Sequence, residues 1–380
     1  MQTIKLGAGR IYFGSGSLSF LKDALKSGDR ILIVQNGYIL KEIGAEEKVL
    51  QCMTTQELCF FYNVEPEPSY ENIVEGTKIA SEFKPTIIIG FGGGSAMDAA
   101  KLIWACYENP QLDTLEKLVE PGAITALRQK AFLYCISTTS GTGSEVTRAA
   151  VVTDTKNKKK YAVVEKNLGL VPDVALLDAT LTESMPKHLI AATGMDAITH
   201  AIESYVSLKA NAFSDAVAFS AFKLAYENIE EAYYAKSIDS LSNMQAASSL
   251  GGIAFSNSGL GVVHSIAHTV GAKYHIPHGL ANAIILPHVL RYLMKDKNVE
   301  KKLATLAYVI RKDDIIRAIE DVNKRLQIPT SLRLVSKDFK EEDIDMLTKI
   351  SLSDVNTNNS PLRPTFSEMK EIITGAFTVS

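Results

Sequence analysis

The chain has 380 residues, 46% of them apolar, which is enough for two domains with separate buried cores and argues against a disordered chain. Lys+Arg 40 against Asp+Glu 43 leaves a formal net charge of −3, so no global field favours a polyanion and a nucleic-acid partner is not expected. No apolar run approaches the roughly 18 residues of a membrane span, MQTIKLGAGRIYFG lacks the regions of a signal peptide, and Cys52, Cys59, Cys106 and Cys135 form no CxxC pair; a cytoplasmic protein with free thiols is expected.

Up to about residue 180, short β-rich runs alternate with longer amphipathic stretches. The strand signals are RILIV (Arg30 to Val34), TIIIGF (Thr86 to Phe91), AFLYCIS (Ala131 to Ser137), AAVVTD (Ala149 to Asp154) and VALLD (Val174 to Asp178). Tyr38 to Cys52, Tyr70 to Phe83 and Ser95 to Tyr107 carry apolar residues at helical spacing. This alternation predicts a βαβ series around a parallel sheet that binds ligands beyond the carboxyl ends of its strands. After Pro186 the rhythm changes. Lys187 to Leu208, Asn211 to Ala235, Ser240 to Ser256, Val262 to Ala272, Gly279 to Leu293, Val299 to Ile310, Asp313 to Leu326 and Phe366 to Phe377 read as helices with no strand between them. The expected division is an α/β domain over 1–182 and an all-helical domain over 183–380, with an active-site cleft between them.

TIIIGFGGGSAMDAAK sets an apolar strand before Gly92, Gly93 and Gly94 and then a helix. Ser95 and Asp98 have the spacing of a capping box, and glycines beside free helix amides suit an anion such as a pyrophosphate. The pattern is neither GxGxxG nor a P-loop, because Lys101 lies too far into the helix. Alone, it reads equally well as a tight turn. A second loop, STTSGTGSEVT (Ser137 to Thr147), follows another strand signal and is dense in hydroxyls and glycines, as a loop wrapping a nucleotide is. In KNKKK, Lys156, Lys158 and Lys159 read as a solvated loop, whereas Lys160 borders the apolar YAVV and is placed to turn inward to a phosphate.

GMDAITHAIESY puts Asp196 and His200 four residues apart on one helical face, where a carboxylate and an imidazole close on one ion. GVVHSIAHTVGAKYHIPHG holds His264 and His268 at the same spacing, and Pro277 ends that helix so that His278 enters from another direction. Three imidazoles and a carboxylate suit Fe(II), Zn(II), Mn(II) or Co(II) with a position open to substrate. Spacing leaves open which of these histidines ligate. His188 and His288 lie beside Pro186 and Pro287 at expected helix edges and read as structural, and His275 reads as a loop residue.

GGGSAMDAAK, STTSGTGSEVT, MPKHLIAATGMDAITHAIESYVS and GVVHSIAHTVGAKYHIPHGLANAIILPHVLRY, in this order, resemble the iron-containing (group III) alcohol dehydrogenases across nearly the whole chain. The resemblance implies a Rossmann-like dinucleotide-binding α/β domain followed by an all-α metal-binding domain, the dehydroquinate synthase-like fold. It implies that Asp196, His200, His264 and His278 bind the divalent metal, iron or zinc, and that His268 faces the substrate and nicotinamide. It further implies that Gly93, Gly94 and Ser95 meet the pyrophosphate, that Thr138, Thr139, Thr147 and Lys160 line the rest of the NAD or NADP site, and that Asp98 holds the glycine loop in shape. Glycerol dehydrogenases lack a histidine matching His200, and maleylacetate reductases usually replace the aspartate matching Asp196, so the presence of both favours an alcohol dehydrogenase proper. Many NAD-preferring relatives carry an aspartate where this chain has Asn36, which makes NADP(H) admissible, and Glu67 stands where relatives often have an uncharged polar residue.

The expected activity is reversible hydride transfer between a primary alcohol or diol and NAD(P)+, with the metal as Lewis acid and His268 carrying the proton; the assembled state is not legible in the pattern, and the resemblance implies a homodimer. A polyol or hydroxy-acid dehydrogenase of the same superfamily is the alternative, and a non-catalytic nucleotide- or metal-binding relative is a more distant one.

Overall fold

A computed structural model describes residues 4–157, 159–164 and 169–378. Two compact units divide the chain, one of Leu6–Ser184 and one that begins at Met185 and takes in Lys5.

The first unit is built on a six-stranded parallel sheet, in the order β1-β8-β5-β4-β2-β3. Its strands are β1 (Arg10–Phe13), β2 (Arg30–Val34), β3 (Glu57–Phe61), β4 (Ile87–Gly92), β5 (Phe132–Ser137) and β8 (Val174–Leu177). Between them in sequence, β6 (Ala149–Asp154) and β7 (Lys159–Val164) form an antiparallel ribbon apart from this sheet. AAVVTD is thus a strand as read, but of the ribbon rather than of the parallel series.

Both faces of the sheet are covered, so its central strands are apolar without alternation. Ile31 and Ile33 enter one core with Ile87, Ile89 and Phe91, while Leu32 and Val34 enter the other with Ile88 and Leu133. Helices α1 (Tyr70–Phe83) and α2 (Gly94–Glu108) supply much of the second core, through Ile73, Leu102, Ile103 and Trp104. The helix expected over Tyr38 to Cys52 is two short ones, Ile39–Glu42 and Ala45–Leu50, interrupted at Gly44 with φ 76°. Of the KNKKK run, Lys159 and Lys160 belong to β7, and Lys158 lies outside the described residues.

The regular elements of the second unit are all helices among its described residues. Its first five helices are α3 (Lys187–Val206), α4 (Ala212–Tyr234), α5 (Ile238–Ser258), α6 (Val262–Tyr274) and α7 (His278–Leu293). Alanines and glycines permit their close packing: Ala197, Ala201, Ala218, Ala221, Ala225 and Ala247 are fully buried. His275, exposed in the left-handed conformation at φ 55°, ends α6, and α7 starts at His278 behind Pro277. His288 is not at a helix edge: Pro287 is accommodated inside α7, and His288 is half-buried there, where the absent Cβ of Gly375 leaves room for its ring. His188 lies exposed in the first turn of α3. No described helix is long and apolar enough to cross a membrane. The four cysteines are free thiols, Cys106 and Cys135 buried and the other two half-buried.

Candidate functional site

In the parallel sheet the strand order reverses between β2 and β4, and such reversals open a crevice at the carboxyl ends. Asn36 follows β2, the glycine turn follows β4 and the hydroxyl-rich loop follows β5, with Gly92 paired in register to Ser137. The three segments are therefore neighbours. Gly92, at φ 147°, makes the turn in a conformation that L side chains rarely adopt, and α2 begins at once. Gly93 occupies the N-cap position without a side-chain cap, and no acidic residue lies in the first turn, which leaves the amides and the positive end of the helix dipole to an anion. A Cβ on Gly93 would stand 3.3 Å from Thr139 Cγ2, and one on Gly94 2.8 Å from Thr142 Cγ2, so the two glycines keep open a cradle between turn and loop. The donor chemistry and the open cradle fit a dinucleotide pyrophosphate.

The capping box expected from Ser95 and Asp98 does not form. Ser95 Oγ accepts instead from the Glu67 N–H at 3.2 Å. Asp98 accepts from Ser144 Oγ at 2.6 Å and from the Val151 N–H at 2.9 Å, so it anchors the hydroxyl loop and β6 rather than the glycine turn. One helical turn further on, the fully buried Lys101 ammonium donates to Ser144 Oγ, Thr147 O, Thr147 Oγ1 and Ala149 O at 2.9–3.0 Å. Thr147 is thereby a buried anchor of the loop. Burial pushes the Asp98 carboxyl up and the Lys101 ammonium down, each opposed by the charge of the other. Thr138 is buried and ties the loop to the turn through its N–H on Gly92 O, 3.0 Å away. Asn36 donates to Val64 O at 3.1 Å, and Lys160 forms an ion pair with Glu67. The α2 start, Glu67 and Lys160 thus form one linked group.

In the helical unit, Asp196 and His200 project from α3, His264 from α6 and His278 from the first position of α7. Their ligand atoms all lie within 4.8 Å of one another. The Nε2 atoms of His200, His264 and His278 stand 3.6, 3.8 and 3.7 Å from Asp196 Oδ1. The approach of α7 depends on Gly279, where a Cβ would fall 2.2 Å from Ala192 O and 3.2 Å from Asp196 Cβ.

Burial holds the imidazoles of His264 and His278 well below the usual histidine range, keeping them neutral and able to offer a lone pair. Burial alone raises Asp196, but the surrounding histidines and the Asn282 amide outweigh it and hold the carboxyl below its usual range. Asn282 Nδ2 lies 2.8 Å from Asp196 Oδ1, 3.2 Å from His264 Nε2 and 3.1 Å from His278 Nε2. An amide has two protons for those three acceptors, and its own Oδ1 is buried without a partner. A buried carboxylate and three convergent imidazoles form an N3O donor set that fits a divalent transition metal.

His268, one turn beyond His264, is separate from this cluster. Its ring stacks against His278 at a centroid distance of 5.4 Å, and its Nδ1 lies 3.2 Å from Asp354 Oδ2. Its side chain is 38% exposed, close to the 35% of His278, so the two rings line the open side of a cluster whose other members are buried. The spacing-based pairing of His264 with His268 is therefore split by the fold.

Three supporting residues escape the sequence reading: Glu203, Asn282 and Asp354. Glu203 continues the face of Asp196 and His200 at i+7, and Asn282 follows His278 at i+4, so helical periodicity carried a signal for both. Asp354 comes from a distant helix end and carried none. Glu203 is buried against His264 Nδ1 at 2.6 Å, and burial pushes its carboxyl up to about 7 against the donors that face it.

A family model described as iron-containing alcohol dehydrogenase matches residues 8–179, and one for the C-terminal part of the Fe-containing alcohol dehydrogenase family matches residues 190–377. The chain belongs to the iron-containing alcohol dehydrogenase family. An NADPH-dependent butanol dehydrogenase of Clostridium saccharobutylicum is 37% identical to it, over 95% of each chain. The bifunctional aldehyde-alcohol dehydrogenase of Escherichia coli K12 is 35% identical over 96% of this chain; the match takes in 45% of that longer protein. The crystal structure of a 1,3-propanediol oxidoreductase superposes with a TM-score of 0.92 at 32% identity, covering 99% of this chain and 100% of that one. Like its relatives, this iron-containing alcohol dehydrogenase is an oxidoreductase.

Proposed function

We propose that the protein interconverts short primary alcohols or diols with their aldehydes, using NADP(H) as well as NAD(H). The observation that carries this reading is the convergence of Asp196, His200, His264 and His278 on one point, with the partly exposed His268 stacked on His278. Asp196 and the three Nε2 atoms would hold the metal. When bound, the ion supplies Lewis acidity toward an alcohol oxygen and the dinucleotide supplies the hydride acceptor.

The protein's own groups do the rest. His268 takes the hydroxyl proton at the ring nitrogen that Asp354 leaves free and passes it to solvent. The α2 amides and the Gly93–Gly94 cradle bind the pyrophosphate, and Lys101 and Asp98, both bonded to Ser144, keep the hydroxyl loop against it. Asn36 presents an amide in place of a carboxylate, so no charge there repels a 2′-phosphate, in line with the NADPH dependence in the butanol dehydrogenase's name. Butanol and 1,3-propanediol in the names of two relatives support a small alcohol or diol as substrate. A homodimer is part of the same proposal, to be checked by light scattering.

The test uses purified protein with Fe(II) or Zn(II) restored, assayed with short alcohols, diols and aldehydes against NAD(H) and NADP(H). Turnover of a primary alcohol or its aldehyde is expected with both cofactors. Absence of turnover with every pair would sink the proposal, and turnover confined to polyols or hydroxy acids would replace its substrate class.

A further inference from the structure

Glu203 touches no expected ligand position of the ion, yet the residue is only 3% exposed and its carboxylate is fully engaged. Its Oε2 accepts from the Gly261 N–H at 3.0 Å and meets His264 Nδ1 at 2.6 Å, while its Oε1 accepts from the Val263 N–H at 2.7 Å. Gly261 is the N-cap of α6 and has no side chain to cap that helix, so the carboxylate arriving from α3 does so. The approach requires glycine, since a Cβ on Gly261 would stand 2.9 Å from Glu203 Oε1.

The two backbone groups can only donate, and together they occupy both carboxylate oxygens. We infer that Glu203 is a positioning residue for the metal centre: it fixes the His264 proton on Nδ1, so that the Nε2 lone pair is the one presented to the ion. The inference rests on the reading of His264 as a ligand through Nε2.

The chemistry of the alternative residue makes the inference sharp. Glutamine is nearly isosteric with glutamate but has one acceptor oxygen and one NH2 group. Set toward Val263, the NH2 opposes another donor. Set toward His264 and Gly261, it opposes the Gly261 N–H and asks Nδ1 to accept, which moves the imidazole proton to Nε2 and removes the lone pair from the ion. A carboxylate satisfies all three neighbours and an amide does not. Partners of this kind that orient ligating histidines typically contribute about 10- to 100-fold in metal affinity.

Two measurements on the 380-residue chain at pH 8 test this. In the first, wild type and Glu203→Gln are loaded with Co(II), their visible spectra compared and the ion withdrawn with excess chelator. Loss about 10- to 100-fold easier from the variant, with an altered Co(II) spectrum, is expected; equal retention and an identical spectrum would overturn the inference. The second needs no variant of Glu203: in 15N-histidine-labelled, metal-free wild type, His264 is identified by the signal absent from His264→Asn, and its tautomer is read from the ring nitrogens. A proton on Nδ1 supports the inference and one on Nε2 alone defeats it, even where Glu203→Gln does not fold. Failure of wild type to bind any metal would count against the proposed function, and the tautomer would still decide the role of Glu203.

Discussion

His268 Nδ1 lies 3.2 Å from Asp354 Oδ2, a carboxylate 86 residues further along the chain. The other oxygen of Asp354 accepts from the Asn356 N–H at 2.8 Å, so the carboxylate is itself held in place. Burial raises Asp354, but its hydrogen bond to His268, the histidine's charge and the Asn356 contacts prevail and keep the carboxyl below its usual range. A depressed carboxyl contributes stability that is present above its unfolded pKa and is lost as pH falls through the folded value. Wild type should therefore melt above Asp354→Asn at neutral pH, and the gap should close from about pH 4 downward. Turnover should fall as well, since the imidazole loses the group that orients it. A gap that persists undiminished into acid would show that Asp354 acts through packing rather than charge.

Replacing the two histidines of α6 separately should give opposite signatures. His264→Ala removes a buried member of the convergent set, so bound metal should be depleted and activity nearly absent. His268→Ala removes a group outside the set, so metal should remain while turnover falls by about 100-fold or more, the usual scale for a lost acid–base group. Metal analysis of the dialysed variants beside their kcat decides it; loss of metal from His268→Ala would overturn the assignment.

Gly279→Ala tests how the fold delivers His278. The added methyl would meet backbone, Ala192 O at 2.2 Å, rather than a flexible side-chain tip. Either α7 or α3 must then move, and these are the helices that carry His278 and Asp196. The expected outcome is a folded helical protein whose metal is lost to chelator far faster than from wild type. Retention equal to wild type would mean that the packing relaxes without displacing the ligands.

The sequence was most legible where one physical signal dominated. RILIV, AAVVTD and the Phe366–Phe377 helix are legible to the residue, because a buried strand, an alternating ribbon strand and an amphipathic helix carry strong local patterns. The outer strands were not: RIYF of β1 is largely exposed and ELCFF of β3 is mostly half-buried, so neither shows a continuous buried run. Spacing placed Asp196 with His200, but the separation of His268 from the other histidines depends on where α7 starts and on Asp354, both set by tertiary packing. The capping-box reading failed for a related reason. Asp98 finds stronger demand in Ser144 and Val151 than at its own helix end, and no local pattern records that competition.

Lys101 shows the same dependence on distant partners and gives a further test. Its ammonium is fully buried, engages four acceptors and lies near Asp98, whereas the P-loop lysine that its motif superficially suggests would meet a ligand phosphate. Lys101→Met keeps the length of the side chain and much of its volume but strips Asp98 of its nearby positive charge and leaves the loop acceptors bare. Each buried polar group left without its partner costs about 1–3 kcal/mol. The urea midpoint should fall accordingly, and the hydroxyl loop, no longer tied to α2 by this lysine, should bind the dinucleotide more weakly. Fluorescence titration with NADPH measures the second effect in variant protein that remains folded at low temperature. If stability drops while the NADPH dissociation constant stays at its wild-type value, Lys101 supports the fold alone and the loop holds the cofactor without it.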